Sequence, residues 1–120
     1  MNINDMAALY GKLPQSAAFL KLVADKKIGN ISAQGLVASA APVFFASLFE
    51  RLNRTVLFVL NDADEAGYFY NDMAQMLGQQ KVLFFPSSYK RAVKYGQRDA
   101  ANEILRTEVL ARLSSGDNAY

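Results

Sequence analysis

The sequence contains no cysteine and no histidine among its 120 residues. Without cysteine the chain has no disulfide bonds, no thiolate metal sites and no thiol catalysis. Without histidine it lacks the usual general base and the commonest metal ligand. Carboxylates, lysines, hydroxyls and phosphate-binding loops are the chemistry that remains.

Long apolar runs and a strong charge of one sign are missing as well. The longest apolar stretch, around residues 36–48, is shorter than the ~20 residues that a membrane span needs. Asp5 interrupts any basic start of a secretory signal. Thirteen basic and eleven acidic residues give a net charge of +2, which predicts neither a dedicated nucleic-acid binder nor an acidic partner. We therefore expect a soluble cytoplasmic protein.

The composition that is present is typical of a globular domain. Hydrophobic residues make up 52% and charged residues 20%, which excludes a disordered tail and a coiled coil. The charges are segregated along the chain. Between Arg54 and Lys81 every charge is acidic, and these residues are Asp62, Asp64, Glu65 and Asp72. From residue 87 to residue 98 every charge is basic, and these residues are Lys90, Arg91, Lys94 and Arg98.

Residues 1–27 are predicted to form a helical cap of two short helices. Gly11 ends the first helix, and Pro14 suits the first turn of the second, where its missing N–H would have no partner anyway. The cap is expected to pack onto the remainder of a single domain.

From Ile28 onward the pattern alternates between strands and helices. The expected strands are 28–34, 55–60 and 81–85, and the expected helices are 39–52, 62–77 and 99–113. The run 55–60 is apolar throughout, which predicts a strand buried on both faces. Such alternation predicts parallel βαβ units and an α/β, three-layer sandwich over residues 28–120. Three strands make a small sheet and the chain stops after a helix, so we expect an incomplete fragment of a larger protein.

The junction between the first expected strand and its helix is where phosphates bind in parallel α/β folds. Gly35 supplies the first glycine of the pattern G-x-x-x-x-G-K-[ST], and Ser39 lies within the loop. The second glycine is replaced by Ala40, the lysine by Ala41 and the Mg²⁺-binding hydroxyl by Pro42. Gly35 is either a simple turn glycine or a remnant of a decayed nucleotide loop. Both interpretations predict no ATP hydrolysis.

The basic segment after the third expected strand is the second candidate site. Its cations Lys90, Arg91, Lys94 and Arg98 are interleaved with tyrosines such as Tyr95, a combination that suits a nucleic-acid backbone. Two other interpretations fit the same residues. The segment is either a solvated loop or a contact with another domain of the intact protein. The acidic residues Asp62, Asp64 and Glu65 fit the first turn of a helix better than a metal site.

Several of these segments resemble one known family. The loop Gly35-Leu-Val-Ala-Ser-Ala40 and the stretch Val56-Leu-Phe-Val-Leu-Asn-Asp62 are similar to the B subunit of the bacterial excinuclease. The stretches Val82-Leu-Phe-Phe-Pro-Ser-Ser-Tyr-Lys-Arg91 and Asn102–Leu113 resemble more closely the excinuclease-B-like module at the N-terminus of bacterial transcription-repair coupling factors. The resemblance covers nearly the whole chain from Ile28 and implies a degenerate P-loop domain of the RecA/helicase type.

The resemblance implies a function for the whole protein and a passive role for this part. Coupling factors are ATP-dependent DNA translocases that displace stalled RNA polymerase and recruit nucleotide excision repair. This chain would be a non-catalytic scaffold without a cofactor or metal of its own, while ATP and Mg²⁺ serve the motor domains. Its partners would be other domains of the same protein, with RNA polymerase, the excinuclease A subunit and DNA as partners of the whole. The alternatives are an independent nucleotide- or phosphate-binding α/β enzyme and a small DNA-binding module.

Overall fold

The computed structural model describes residues 1–88, 98–116 and 119–120, and within them the chain forms five helices and no sheet. The helices are α1 (Ile3–Gly11), α2 (Pro14–Ala24), α3 (Ala40–Leu52), α4 (Ala63–Leu77) and α5 (Ala100–Ser115). The predicted α/β sandwich with a parallel sheet is therefore wrong. All five predicted helices are present, and their bounds agree with the prediction to within a few residues.

The helix ends follow the capping residues that the sequence carries. Asn2 and Asp5 form a reciprocal capping box at α1, each side chain accepting the other's backbone N–H at 2.9 Å. Pro14 opens α2, as predicted. Asp62 caps α4 as predicted, since its carboxylate accepts the N–H groups of Asp64 and Glu65. Local hydrogen bonds therefore fix these boundaries.

Helix α3 lies at the centre of the molecule and packs against α1, α2 and α4. Most of the buried apolar side chains come from it: Val43, Phe44, Ala46, Leu48 and Phe49. A row of aromatic rings then joins α2 to α4, with centroid separations between 4.8 and 5.7 Å. The rings are Phe19, Phe44, Phe45, Phe58 and Phe69. The hydrophobic core is therefore built around α3.

The stretch 55–60 was predicted to be a strand buried on both faces, and in the structure only one face is covered. Phe58 packs against Phe45 of α3 at 5.1 Å and against Phe69 of α4 at 4.8 Å. Leu57 and Val59 point the other way and are 82% and 85% exposed. Helices α3 and α4 cover one side of the apolar run and the other side is exposed, so the run is not buried within a sheet.

The stretches 81–85 and 28–34 also differ from prediction. Phe84 packs against Tyr70 of α4, and Phe85 lies under the guanidinium of Arg106 at 4.0 Å from the ring centroid. Residues 28–34 are mostly exposed and lead to α3 as an irregular segment. Among the described residues, the backbones of 55–60 and 82–85 are not hydrogen-bonded to each other, so the ladder that defines a sheet does not form.

The N-cap of α5 provides a test of these boundaries. The Asp99 carboxylate accepts the N–H groups of Ala101 at 3.0 Å and Asn102 at 3.4 Å. We expect Asp99→Ala to lower the free energy of unfolding by about 1 kcal/mol, because both N–H groups lose their acceptor. Urea denaturation measures the change, and Asp99→Asn, which keeps a capping oxygen, is the control. Equal losses in the two variants would contradict the capping role.

Candidate functional site

The candidate nucleotide loop, Gly35 to Pro42, lies in the structure between the irregular segment and α3. Gly35 has a left-handed backbone (φ +83°), and no atom lies within 4 Å of where its Cβ would be. Ala38 also has a positive φ of 49°, which is uncommon for a residue with a side chain. The loop is therefore tightly turned and open to solvent, and no strand precedes it within the described residues.

The backbone donors at the start of α3 are partly used within the turn itself. The N–H of Ala40 donates to the carbonyl of Val37 at 3.0 Å, and that of Val43 donates to Ser39 at 3.2 Å. Pro42 has no N–H, and its ring is buried. Ser39 makes no side-chain capping bond to the helix. The N–H groups of Ala41 and of the loop residues 35–39 make no backbone hydrogen bond. The missing lysine and hydroxyl, and not a shortage of N–H groups, therefore distinguish this loop from a phosphate cradle.

Most of the second candidate site lies outside the described residues, namely Lys90, Arg91, Lys94 and Tyr95. Arg98 is described, and its guanidinium lies 3.6 Å from the Glu103 carboxylate near the start of α5. The N–H of Asp99 donates to the carbonyl of Ser88 at 2.9 Å. The two ends of the basic segment are therefore held together, and Arg98, the cation of this segment that the structure describes, has a carboxylate neighbour.

The acidic residues at the start of α4 act as helix caps. Asp62 accepts two backbone N–H groups through Oδ1, and Glu65 accepts the backbone and side-chain N–H groups of Asn61 through Oε2. Glu65 thus reaches Asn61, one residue before the N-cap that a capping box would use. Across the described ranges, no group of three carboxylates is placed to hold a metal ion.

An open groove of about 640 Å³ lies between the end of α3, the segment after α4 and the last residues of the chain. Its cations are held by neighbouring groups: Lys81 lies 3.4 Å from Glu50, and Arg112 lies 2.8 Å from Glu108. Arg112 also donates to the carbonyl of Gln80 at 3.2 Å. The charges in the groove are thus balanced, which leaves little excess positive charge for an anion.

The exposed apolar side chains are the feature that sequence reasoning missed. Besides Leu57 and Val59, α5 exposes Ile104 and Leu110 to 69% and 57%. Helix α5 carries five large apolar residues, and only one of them, Val109, is buried; the others are Ile104, Leu105, Leu110 and Leu113. A signal was available, because these residues surround the helix instead of forming one stripe.

None of the helices in the described ranges combines the length and hydrophobicity required to cross a lipid bilayer. Comparison of the chain with protein-family models, with curated protein sequences and with solved structures finds no match.

Proposed function

We propose that this chain is a non-catalytic scaffold and interaction module, and that its parent protein is a transcription-repair coupling factor. The observation that carries the interaction role is the amount of surface left exposed. The solvent-accessible area is 8933 Å² for a mass of 13.2 kDa. A compact monomer of that mass exposes about 6,400 Å². The surplus is of the size that proteins bury against a partner.

The outer face of α5 is the surface we assign to that partner. Ile104 and Leu110 are exposed on it, with Thr107 and Ala111 lying between them on the same side of the helix. The Cα atoms of α5 come within 8 Å of those of no other helix. Glu103 lies on the same side, so the assignment rests on the exposed side chains of Ile104 and Leu110 on a helix that its own fold leaves open. Another domain of the same protein is the partner that we propose.

The absence of catalysis is the second part of the proposal, and the loop before α3 supports it. Its sequence lacks the lysine and the hydroxyl that hold the phosphates and Mg²⁺ of ATP. We therefore propose that ATP and Mg²⁺ are used by motor domains elsewhere in the parent protein. RNA polymerase, the excinuclease A subunit and DNA would be partners of that whole protein, in the cytoplasm.

The proposal is tested by binding. The chain is mixed with a coupling factor from the same organism that lacks its own N-terminal module, and binding is measured by isothermal titration calorimetry. We expect saturable binding, weakened about tenfold or more by Ile104→Glu or Leu110→Glu, because a charge would be buried in an apolar contact. Leu9→Glu on α1 is the matched control, since Leu9 is 56% exposed on another helix, and it should leave the affinity unchanged.

Two other outcomes would replace the proposal with a different function. Stabilisation of the chain by several degrees in micromolar Mg-ATP would indicate a nucleotide-binding enzyme. Binding to duplex DNA with log K falling against log salt at a slope near −3.6 would indicate that Lys90, Arg91, Lys94 and Arg98 all contact phosphates, at about 0.9 per contact. Absence of binding to the coupling factor would by itself contradict the interaction role on α5.

A further inference from the structure

Side chains of α5 bond to one neighbouring segment, residues 80–88, over the length of the helix. The side-chain amide of Asn102 donates to the carbonyl of Ser87 at 2.9 Å, and the guanidinium of Arg112 donates to the carbonyl of Gln80 at 3.2 Å. A second arginine, between these two, makes a third bond of the same kind. The helix therefore lies antiparallel to the segment and is attached to it by long side chains.

The residues after α5 bond to a different part of the chain. The carbonyl of Tyr120 accepts the N–H of Val56 at 2.9 Å, and the N–H of Tyr120 donates to the hydroxyl of Thr55 at 3.4 Å. Among the described residues, these are the hydrogen bonds that join α5 and the residues after it to a segment other than 80–88. Phe58, two residues beyond Val56, lies in the row of aromatic rings, so Tyr120 is attached to the core.

The groove of about 640 Å³ lies between this end of α5 and the core. It is lined by Phe49 and Asn53 from the end of α3, by Arg112 from α5 and by Tyr120. Helix α5 does not approach α3 closely, since none of its Cα atoms lies within 8 Å of those of that helix. The position of this end of α5 therefore depends on the few groups that link it to the core near the groove.

Two such links are present, and they differ in strength. The first is an ion pair between Lys81 and Glu50, 3.4 Å apart, whose side chains are 47% and 79% exposed. Ion pairs with this exposure contribute little, because water and salt screen them. The second consists of the two hydrogen bonds of Tyr120, of which the shorter joins two backbone groups. We therefore expect Tyr120 to be the stronger link.

The inner side of α5 covers apolar groups. Val109 is 8% exposed, and together with Leu105 it lines a space of about 60 Å³ beside Val82 and Phe84. Movement of α5 away from residues 80–88 would bring these side chains into contact with water. The closed position of the helix thus covers a second apolar surface, on the other side of α5 from the face assigned to a partner above.

We propose that the contact of Tyr120 with Thr55 and Val56 is a latch, which holds α5 closed and so keeps the inner apolar surface covered. Two hydrogen bonds near the surface break at a small fraction of the cost of global unfolding, so the latch can open while the core stays folded. The latch goes beyond the proposed function, which concerns the outer side of α5. Its test needs no partner, so either proposal can fail without the other.

Thiol labelling measures the opening directly, because the chain has no cysteine of its own. In Val109→Cys the thiol is covered while α5 is closed, and an aromatic disulfide reagent reaches it when the helix opens. We expect that removing Ala119 and Tyr120 speeds this reaction about threefold to tenfold, since the closed form loses the hydrogen bonds of the latch. Tyr120→Phe keeps both backbone groups and should leave the rate unchanged.

A buried valine of the core provides the matched control. Val43 on α3 is also 8% exposed, and the thiol of Val43→Cys should react at the same rate in the full and the shortened chain. Equal acceleration at positions 43 and 109 would indicate a general loss of stability and overturn the latch. An unchanged rate at position 109 would overturn it as well.

The ion pair near the groove is tested in the same assay. Glu50→Gln removes the charge that Lys81 faces, and we expect it to change the labelling rate at position 109 less than about twofold. Thr55→Val removes the hydroxyl that accepts the N–H of Tyr120 and should speed the reaction, though less than removal of Ala119 and Tyr120. A larger effect of Glu50→Gln than of that removal would show that the ion pair holds α5, and would overturn the assignment to Tyr120.

Discussion

Replacing Leu48 with alanine is expected to lower the free energy of unfolding by about 3–5 kcal/mol, the largest effect predicted for any single residue here. Leu48 lies in the middle of α3 and is 0% exposed. α3 contacts α1, α2 and α4, so a cavity at this position is surrounded by several helices and cannot close by moving one of them. Because small domains are stable by only about 5–15 kcal/mol, the variant would keep a fraction of its stability.

Urea denaturation followed by circular dichroism measures this change, and Leu9→Ala is its control. Leu9 lies on the exposed side of α1, so the same chemical change should cost less than about 1 kcal/mol there. Similar losses at Leu48 and Leu9 would mean that α3 does not form the centre of the core. A substantial fall in the slope m for Leu48→Ala would instead report a change in the unfolded or native ensemble.

Replacing Phe58 with alanine is expected to cost about 3 kcal/mol, although the residue lies outside any helix. Its ring fills the space between Phe45 and Phe69, with centroids 5.1 and 4.8 Å away. Removing it breaks the row of rings that joins α3 to α4 and leaves a cavity between the two helices. The same denaturation experiment measures the loss.

Two variants distinguish ring packing from a general sensitivity of the segment. Phe58→Leu keeps most of the side-chain volume and should cost less than about 1.5 kcal/mol. Val59→Ala changes a neighbour that faces solvent and should cost less than about 0.5 kcal/mol. A larger loss for Val59→Ala than for Phe58→Ala would mean that the opposite face of this segment is the buried one.

The helices could be predicted from the sequence because their signals are local. Asn2, Asp62 and Asp99 are capping residues whose oxygens reach backbone groups two or three positions away. Pro14 and Gly116 mark a helix start and a helix end by their own backbone preferences. Each of these signals acts within one turn, so the rest of the fold does not alter it.

The strands could not be predicted correctly, because a strand requires a partner that its own residues do not specify. The run at 55–60 is apolar at every position, so its sequence does not tell which side faces the core. Phe45 and Phe69 decide that side by receiving Phe58. For α5, by contrast, the spread of apolar residues around the helix was a signal in the sequence that some of them would stay exposed.

The candidate sites were predictable to different degrees. The missing lysine and hydroxyl at Ala41 and Pro42 could be seen directly in the sequence, whereas the positive φ of Ala38 in the same loop required the structure. Arg98 was identified as a surface cation, but its neighbour Glu103 was not, because the pair depends on how the chain turns into α5. The other residues of the basic segment lie outside the described ranges, so their role stays a prediction.

We expect helix α5 to open locally more easily than α1 to α4, because its Cα atoms approach no other helix. Its attachment passes through side chains: Arg106 donates to the carbonyl of Pro86 at 2.8 Å and covers the ring of Phe85, and Asn102 donates to the carbonyl of Ser87. These bonds are few and near the surface, whereas α3 is held by a buried core. Partial opening of this kind is far less costly than global unfolding. Amide protons of α5 are therefore expected to exchange with solvent long before those of α3.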